Sequence, residues 1–168
     1  AGNVVFDPLP ASDHDLRHLA SLGQTSAILL TNSDHVREAV AFSELTGAEI
    51  YGPAGEKNNF PIPCTHWLTD RDEPFPGLQT YALEGSKTPG ELAFVLDGTT
   101  LITGDLIRSH SGGSLMLLPS DKLADPAKAK DSLGRLLSEI HVEAVLVGDG
   151  WPVFRAGHER LRELFEAY

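Results

Sequence analysis

What most constrains this chain is how its short apolar runs are connected. At both ends each run leads through a polar loop into an amphipathic segment, whereas in the middle the runs succeed one another across turns. Val4-Val5-Phe6 is closed by Asp7-Pro8 and reads as a strand entering a turn. Ser12 then caps a predicted helix on which Leu16, Leu19 and Ala20 share a face, with Gly23 just past its end. Ala27-Ile28-Leu29-Leu30 is a buried-strand run, and Thr31-Asn32-Ser33 leads into a second helix carrying Val36, Ala39, Val40 and Leu45, ended by Gly47. The order is therefore β-α-β-α.

From Leu78 the pattern changes. Leu78 to Glu84, Glu91 to Leu96, Thr100 to Thr103 and Ser114 to Leu117 are short strands between Gly-, Pro- and Asp-rich turns, as expected of antiparallel sheet. Asp125-Pro126 opens a helix with Leu133, Leu136, Leu137 and Ile140 on one face. Ala144 to Val147 is a buried strand, Gly148-Asp149-Gly150 a tight turn, and His158 to Ala167 an amphipathic helix. With 168 residues and neither repeat nor linker, a single layered α/β domain over residues 1–168 is the economical architecture.

Composition narrows the partners. Lys and Arg number 13 against 24 Asp and Glu, a formal net charge of −11, which disfavours DNA, RNA and anionic membrane. The single cysteine, Cys64, can form neither an intrachain disulfide nor a thiolate cluster, which suits a reducing cytoplasm. Residues 1–8 lack a signal-peptide pattern, and no stretch approaches the ~18 apolar residues of a membrane span. The expected partner is a small molecule.

Polar residues immediately after apolar strands are the best candidates for chemistry, because the strand fixes the backbone while its end opens to the surface. Four such places occur: residues 32–35, 85–90, 103–105 and 148–150. Converging, they would gather Asp34, His35, Lys87, Asp105 and Asp149.

These segments, in this order, resemble the metallo-β-lactamase superfamily over nearly the whole chain. Val4 to Pro8 resembles its early strand and Asp-Pro turn, and Ile28 to His35 its strand into the HxHxDH motif. Gly85 to Glu91 is similar to the GHTPGE-like loop, Leu101 to Asp105 to the strand bearing the metal-bridging aspartate, and Gly148-Asp149-Gly150 to the terminal GHG turn. The resemblance implies a four-layer αββα sandwich whose strand-end loops bind metal. It also implies an earlier strand or hairpin that this sequence lacks, so an uncovered sheet edge is expected, which leaves a homodimer through that edge open.

The departures from the pattern bear on the metals. The leading histidines of HxHxDH fall on Leu30 and Asn32, and the histidine of the GHT loop falls on Lys87, so no dinuclear zinc centre is expected. The resemblance still carries Asp34, His35 and Asp105 onto family ligands, with Asp149 in place of the last histidine. These four could hold one divalent ion, Mn²⁺, Fe²⁺, Zn²⁺ or Mg²⁺. Equally, Lys87 and a protonated His35 could neutralise the carboxylates with no metal, through a Lys87–Asp149 or Lys87–Asp105 ion pair.

Two functions are then open. In the first, the chain is a hydrolase-like member acting on a small ester, thioester, lactone or phosphoester. A single metal held by Asp34, His35, Asp105 and Asp149 would activate water, with Lys87 polarising the scissile group and His110 and Trp151 facing the substrate. In the second, an ion-pair network replaces the metals and the protein binds or scaffolds. His110 alternatively reads as a solvated loop residue and Trp151 as a packing residue. His14, His18, His66, His141 and His158 read as surface or helix-face residues.

Overall fold

The computed structural model describes residues 2–168, so Ala1, the first residue of the N-terminal segment, lies outside the described residues. Contacts divide the chain into two compact units, one ending at Leu68 and the other running from Thr69 to Tyr168.

The first unit keeps the strand-helix alternation. Strand β1 (Asn3–Phe6) leads to helix α1 (Asp13–Leu22), then β2 (Thr25–Leu29), α2 (Ala39–Thr46), β3 (Glu49–Pro53) and β4 (His66–Leu68). The four strands form one all-parallel sheet in the order β1-β2-β3-β4, with Val5 opposite Ile28, Ile28 opposite Ile50 and Gly52 opposite Trp67. Parallel neighbours need crossovers: α1 joins β1 to β2, α2 joins β2 to β3, and a segment with a 3₁₀ stretch at Ala54–Asn59 joins β3 to β4. Helix α1 starts at a capping box: the Ser12 hydroxyl accepts the Asp15 N–H, while the Asp15 carboxylate accepts the Ser12 N–H. Helix α2 begins later than the apolar spacing predicts, because residues 33–35 form a 3₁₀ turn and leave Val36 outside the helix. The core comprises Ile28, Leu30, Ala39, Phe42, Ala48 and Ile50.

The second unit is mixed. Strands β5 (Leu78–Ala82), β6 (Leu92–Leu96) and β7 (Thr100–Thr103) are antiparallel neighbours. Strands β8 (Ile107–Ser111) and β9 (Ser114–Leu117) make a separate hairpin, followed by helix α3 (Pro126–Glu139), strand β10 (Ala144–Val147) and helix α4 (Gly157–Ala167). β10 pairs parallel with β7, so the sheet order is β10-β7-β6-β5. Asp125 accepts from the Ala127 and Lys128 N–H groups, the N-cap expected ahead of Pro126. The core includes Val95, Leu101, Leu106, Leu133, Leu136, Val145 and Leu161. Among the described residues no helix is long and apolar enough to cross a membrane.

Candidate functional site

Each unit carries its own polar cluster at strand ends. In the first, β1 stops at Asp7, which takes a left-handed backbone (φ +43°) while its N–H donates to the Leu29 carbonyl at 3.1 Å. This aims the side chain at the end of β2. Asp7 Oδ1 accepts the Thr31 N–H at 2.8 Å, and Oδ2 accepts the Thr31 hydroxyl at 2.7 Å. His35 Nδ1 lies 2.9 Å from the same Oδ2 and 2.9 Å from Thr31 Oγ1. All three residues are buried. An ionised carboxylate can only accept, so the proton of this contact sits on His35 Nδ1.

Around this cluster the loop is held by its own side chains. Asn32, on a position the resemblance gives to a histidine, is fully buried and its Oδ1 accepts the Asp34 N–H at 2.9 Å. Buried Glu56 accepts the Ser33 N–H at 3.3 Å. Asp34 itself is exposed. Asp7, which in the sequence reads only as part of a turn, proves to be the residue that orients His35.

In the second unit the loop of residues 85–90 is anchored at both ends. Gly85 has φ +80°, and a Cβ there would lie 2.3 Å from the Asp125 carbonyl oxygen, so the close approach to the start of α3 requires glycine. Glu91, fully buried, accepts the Ser86 hydroxyl and the Leu106 N–H, the latter at 2.7 Å. One carboxylate thereby ties the Lys87 loop to the Asp105 turn, and the Thr103 hydroxyl closes that turn by donating to the Ile107 carbonyl at 2.9 Å. Lys87 is exposed.

Strand β8 carries a charge that the sequence does not single out. Arg108 Nη2 lies 3.4 Å from Asp105 Oδ1 and 3.1 Å from Asp149 Oδ2. The Arg108 and Asp105 side chains are mostly buried, at 12% and 13% exposure, whereas Asp149 is 45% exposed. His110 Nε2 lies 3.0 Å from the same Asp149 oxygen. Asp149 thus meets an arginine and a histidine on one strand, where the sequence offers Lys87 and His35 as counter-charge. A backbone clamp holds this arrangement: Ser109 N–H donates to the Asp149 carbonyl at 3.1 Å, and Trp151 N–H donates to the Ser109 carbonyl at 2.7 Å. Gly150 between them has φ +112°, and a Cβ there would lie 1.7 Å from the Ser109 oxygen.

Two expectations are corrected here. His110 belongs to β8 and is not a loop residue; its strand escapes the sequence reading because Ile-Arg-Ser-His-Ser has no apolar run. Trp151 is 66% exposed, so it is no packing residue, and Phe154 is 68% exposed three positions on. Buried Ser109 donates its hydroxyl to the Ser111 carbonyl at 3.1 Å.

The donor chemistry does not suit the two-metal centre that the resemblance implies. An alkyl and a carboxamide side chain stand at Leu30 and Asn32, and a guanidinium already bridges Asp105 and Asp149. Among the described residues, no group of three or more His, Cys, Asp or Glu side chains is placed to hold a metal ion.

Known proteins agree on the fold. The metallo-beta-lactamase superfamily profile matches residues 1–168. The B3 metallo-beta-lactamase BLEG-1 superposes with a TM-score of 0.72 at 18% identity, covering 89% of this chain and 81% of that one. ETHE1 from Myxococcus xanthus gives 0.71 at 20% identity, covering 99% and 83%. TTHA1623, solved in a di-iron-bound form, gives 0.64 at 26% identity, covering 89% and 82%. No curated protein matches the sequence. The chain belongs to the metallo-beta-lactamase superfamily and has its α/β fold, as a divergent member.

Proposed function

We propose that this member of the superfamily works without a metal at its strand-end loops, and that it binds a small polar molecule there. The observation that carries the reading is Arg108, whose Nη2 stands 3.1 Å from Asp149 and 3.4 Å from Asp105. A guanidinium stays charged at any physiological pH and cannot ligate. A dication beside it would meet like charge, about 4 kcal/mol for each pair of unit charges at 4 Å and an effective dielectric of 20. The network therefore does what a metal does for these carboxylates, compensating their charge, while offering no Lewis acid.

The same side chains supply a recognition surface. Trp151 presents a large, largely exposed ring held by its own backbone, and half-exposed His110 and Asp149 are the polar groups on the neighbouring strand and turn. An exposed aromatic face with a polar rim suits a ligand with one apolar face and several hydrogen-bonding groups.

Elemental mass spectrometry tests the reading on untagged protein purified without chelator and then incubated with Mn²⁺ or Fe²⁺, beside Asp105→Ala and Arg108→Ala. The expected result is no metal that depends on Asp105, with uptake appearing in Arg108→Ala once the resident cation is gone. Near-stoichiometric metal in the unaltered protein, lost in Asp105→Ala, would overturn the proposal. It would favour a mononuclear metal-dependent hydrolase with Asp105 among the ligands.

A further inference from the structure

We propose that His141 and His158, in the second unit and outside the Arg108 network, form a binding site for a late first-row divalent cation, with Cu²⁺ held most tightly. Their rings lie with centroids 4.4 Å apart and planes inclined by 35°. His158 is the second residue of α4, and its place is set by backbone: its N–H donates to the Val142 carbonyl at 2.8 Å, and the Gly157 N–H donates to the Glu143 carbonyl at 2.8 Å.

The ring of His158 is fixed as well. Its Nδ1 lies 3.0 Å from the Ile140 carbonyl oxygen, and a carbonyl can only accept, so Nδ1 carries the proton. In the neutral ring the lone pair then sits on Nε2. An imidazole that donates one N–H to a backbone carbonyl and presents the other nitrogen is the usual arrangement of a metal-ligating histidine. His141, exposed, can turn to bring its own nitrogen to the same ion. Two nitrogens each about 2.0–2.1 Å from one cation stand roughly 3 Å apart, a separation within reach of rings already at this spacing.

Charge and ligand type choose the ion. Imidazole pairs suit copper, nickel and zinc, and among these the divalent affinity order places Cu²⁺ first. His141 comes directly after Ile140, the residue that caps the C-terminal end of α3, so the negative end of that helix dipole offsets the positive end of α4. Glu159 adds a carboxylate in the first turn of α4. No third His, Cys, Asp or Glu joins the pair among the described residues, so water completes the coordination shell and the ion exchanges freely. That argues against a four-ligand structural zinc site.

One other pair competes. His14 and His18, both exposed, are four residues apart on α1 and share a helix face. Titration of the untagged full chain with CuCl₂, monitored by calorimetry and by the nitrogen hyperfine pattern in electron paramagnetic resonance, separates the two pairs. One equivalent should bind with nitrogen ligation, weakened about tenfold or more in His141→Ala and in His158→Ala. The same equivalent should be unchanged in Asp105→Ala and in the double variant His14→Ala/His18→Ala. Because His141 is exposed, His141→Ala decides the question even if His158→Ala folds poorly. A first equivalent unmoved by His141→Ala, or abolished in the His14→Ala/His18→Ala protein, overturns the assignment.

Discussion

The two units solve the same problem, a carboxylate at the end of a strand, in different ways. In the first, the buried Asp7 carboxylate accepts from a backbone N–H, a hydroxyl and an imidazole N–H, all within 2.9 Å. In the second, Asp149 is half exposed and its partners are the charged or chargeable side chains of Arg108 and His110. The first cluster is fixed by geometry and closed to water. The second is balanced by charge and open to it, so it can exchange a partner for a ligand at lower cost.

Removing the central group of each cluster should therefore have unequal effects. Asp7→Ala takes its acceptor from the buried Thr31 N–H and leaves the Thr31 hydroxyl and the His35 ring without the carboxylate that both meet, and it should cost about 3–5 kcal/mol in urea unfolding. Gly150→Ala should come next, at about 3 kcal/mol, because the new Cβ would strike the Ser109 carbonyl at a backbone angle that disfavours side chains. Arg108→Met keeps the packing of the stem and removes the charge. About 1–2 kcal/mol is expected, since the half-exposed Asp149 can turn to water and the mostly buried Asp105 loses only a long contact of 3.4 Å. A loss for Arg108→Met equal to that for Asp7→Ala would erase the contrast between the clusters.

Acid sharpens the comparison from another side. Burial raises the Asp70 carboxyl, but hydrogen bonds from Arg135 and the Ala82 N–H, with the charges of Arg135 and Arg71, outweigh it and hold the group below its usual value. A carboxylate depressed in the folded state stabilises above the unfolded value of about 3.9 and loses that contribution as pH falls through the folded one. The stability gap between the unaltered chain and Asp70→Asn should close on acidification from about pH 5 to below pH 3; a gap that widens would contradict the sign. His110→Ala, at the exposed rim, should change stability by less than about 0.5 kcal/mol.

How much of this is legible in the sequence depends on how local the cause is. The Ser12 cap of α1 and the Asp125-Pro126 start of α3 are decided within a few residues, and both stand as read; the reciprocal bond from Asp15 is added by the structure. Strands β3, β4 and β8 escape notice because Glu49–Pro53, His66–Leu68 and Ile107–Ser111 carry no apolar run; neighbouring strands make them strands. Arg108 escapes for the same reason. Its meeting with Asp149 depends on the Ser109–Gly150 bridge between distant segments, which no spacing records. The family pattern places Asp105 and Asp149 as a pair of interest, but it does not say that an arginine stands beside both.

The pairing of β10 with β7 also has a consequence for biosynthesis. The first unit adds its strands in the order in which they leave the ribosome, each beside the one before. The second cannot complete its sheet that way, because Leu101, buried at the centre of β7, finds its parallel neighbour Val145 only after the hairpin and α3 have been made. Until then β7 has one open edge, with Leu101 among the apolar side chains awaiting cover. A nascent chain paused between α3 and β10 would carry a sheet ready to pair with any strand offered to it, and that interval is where its exposure to misassembly is concentrated.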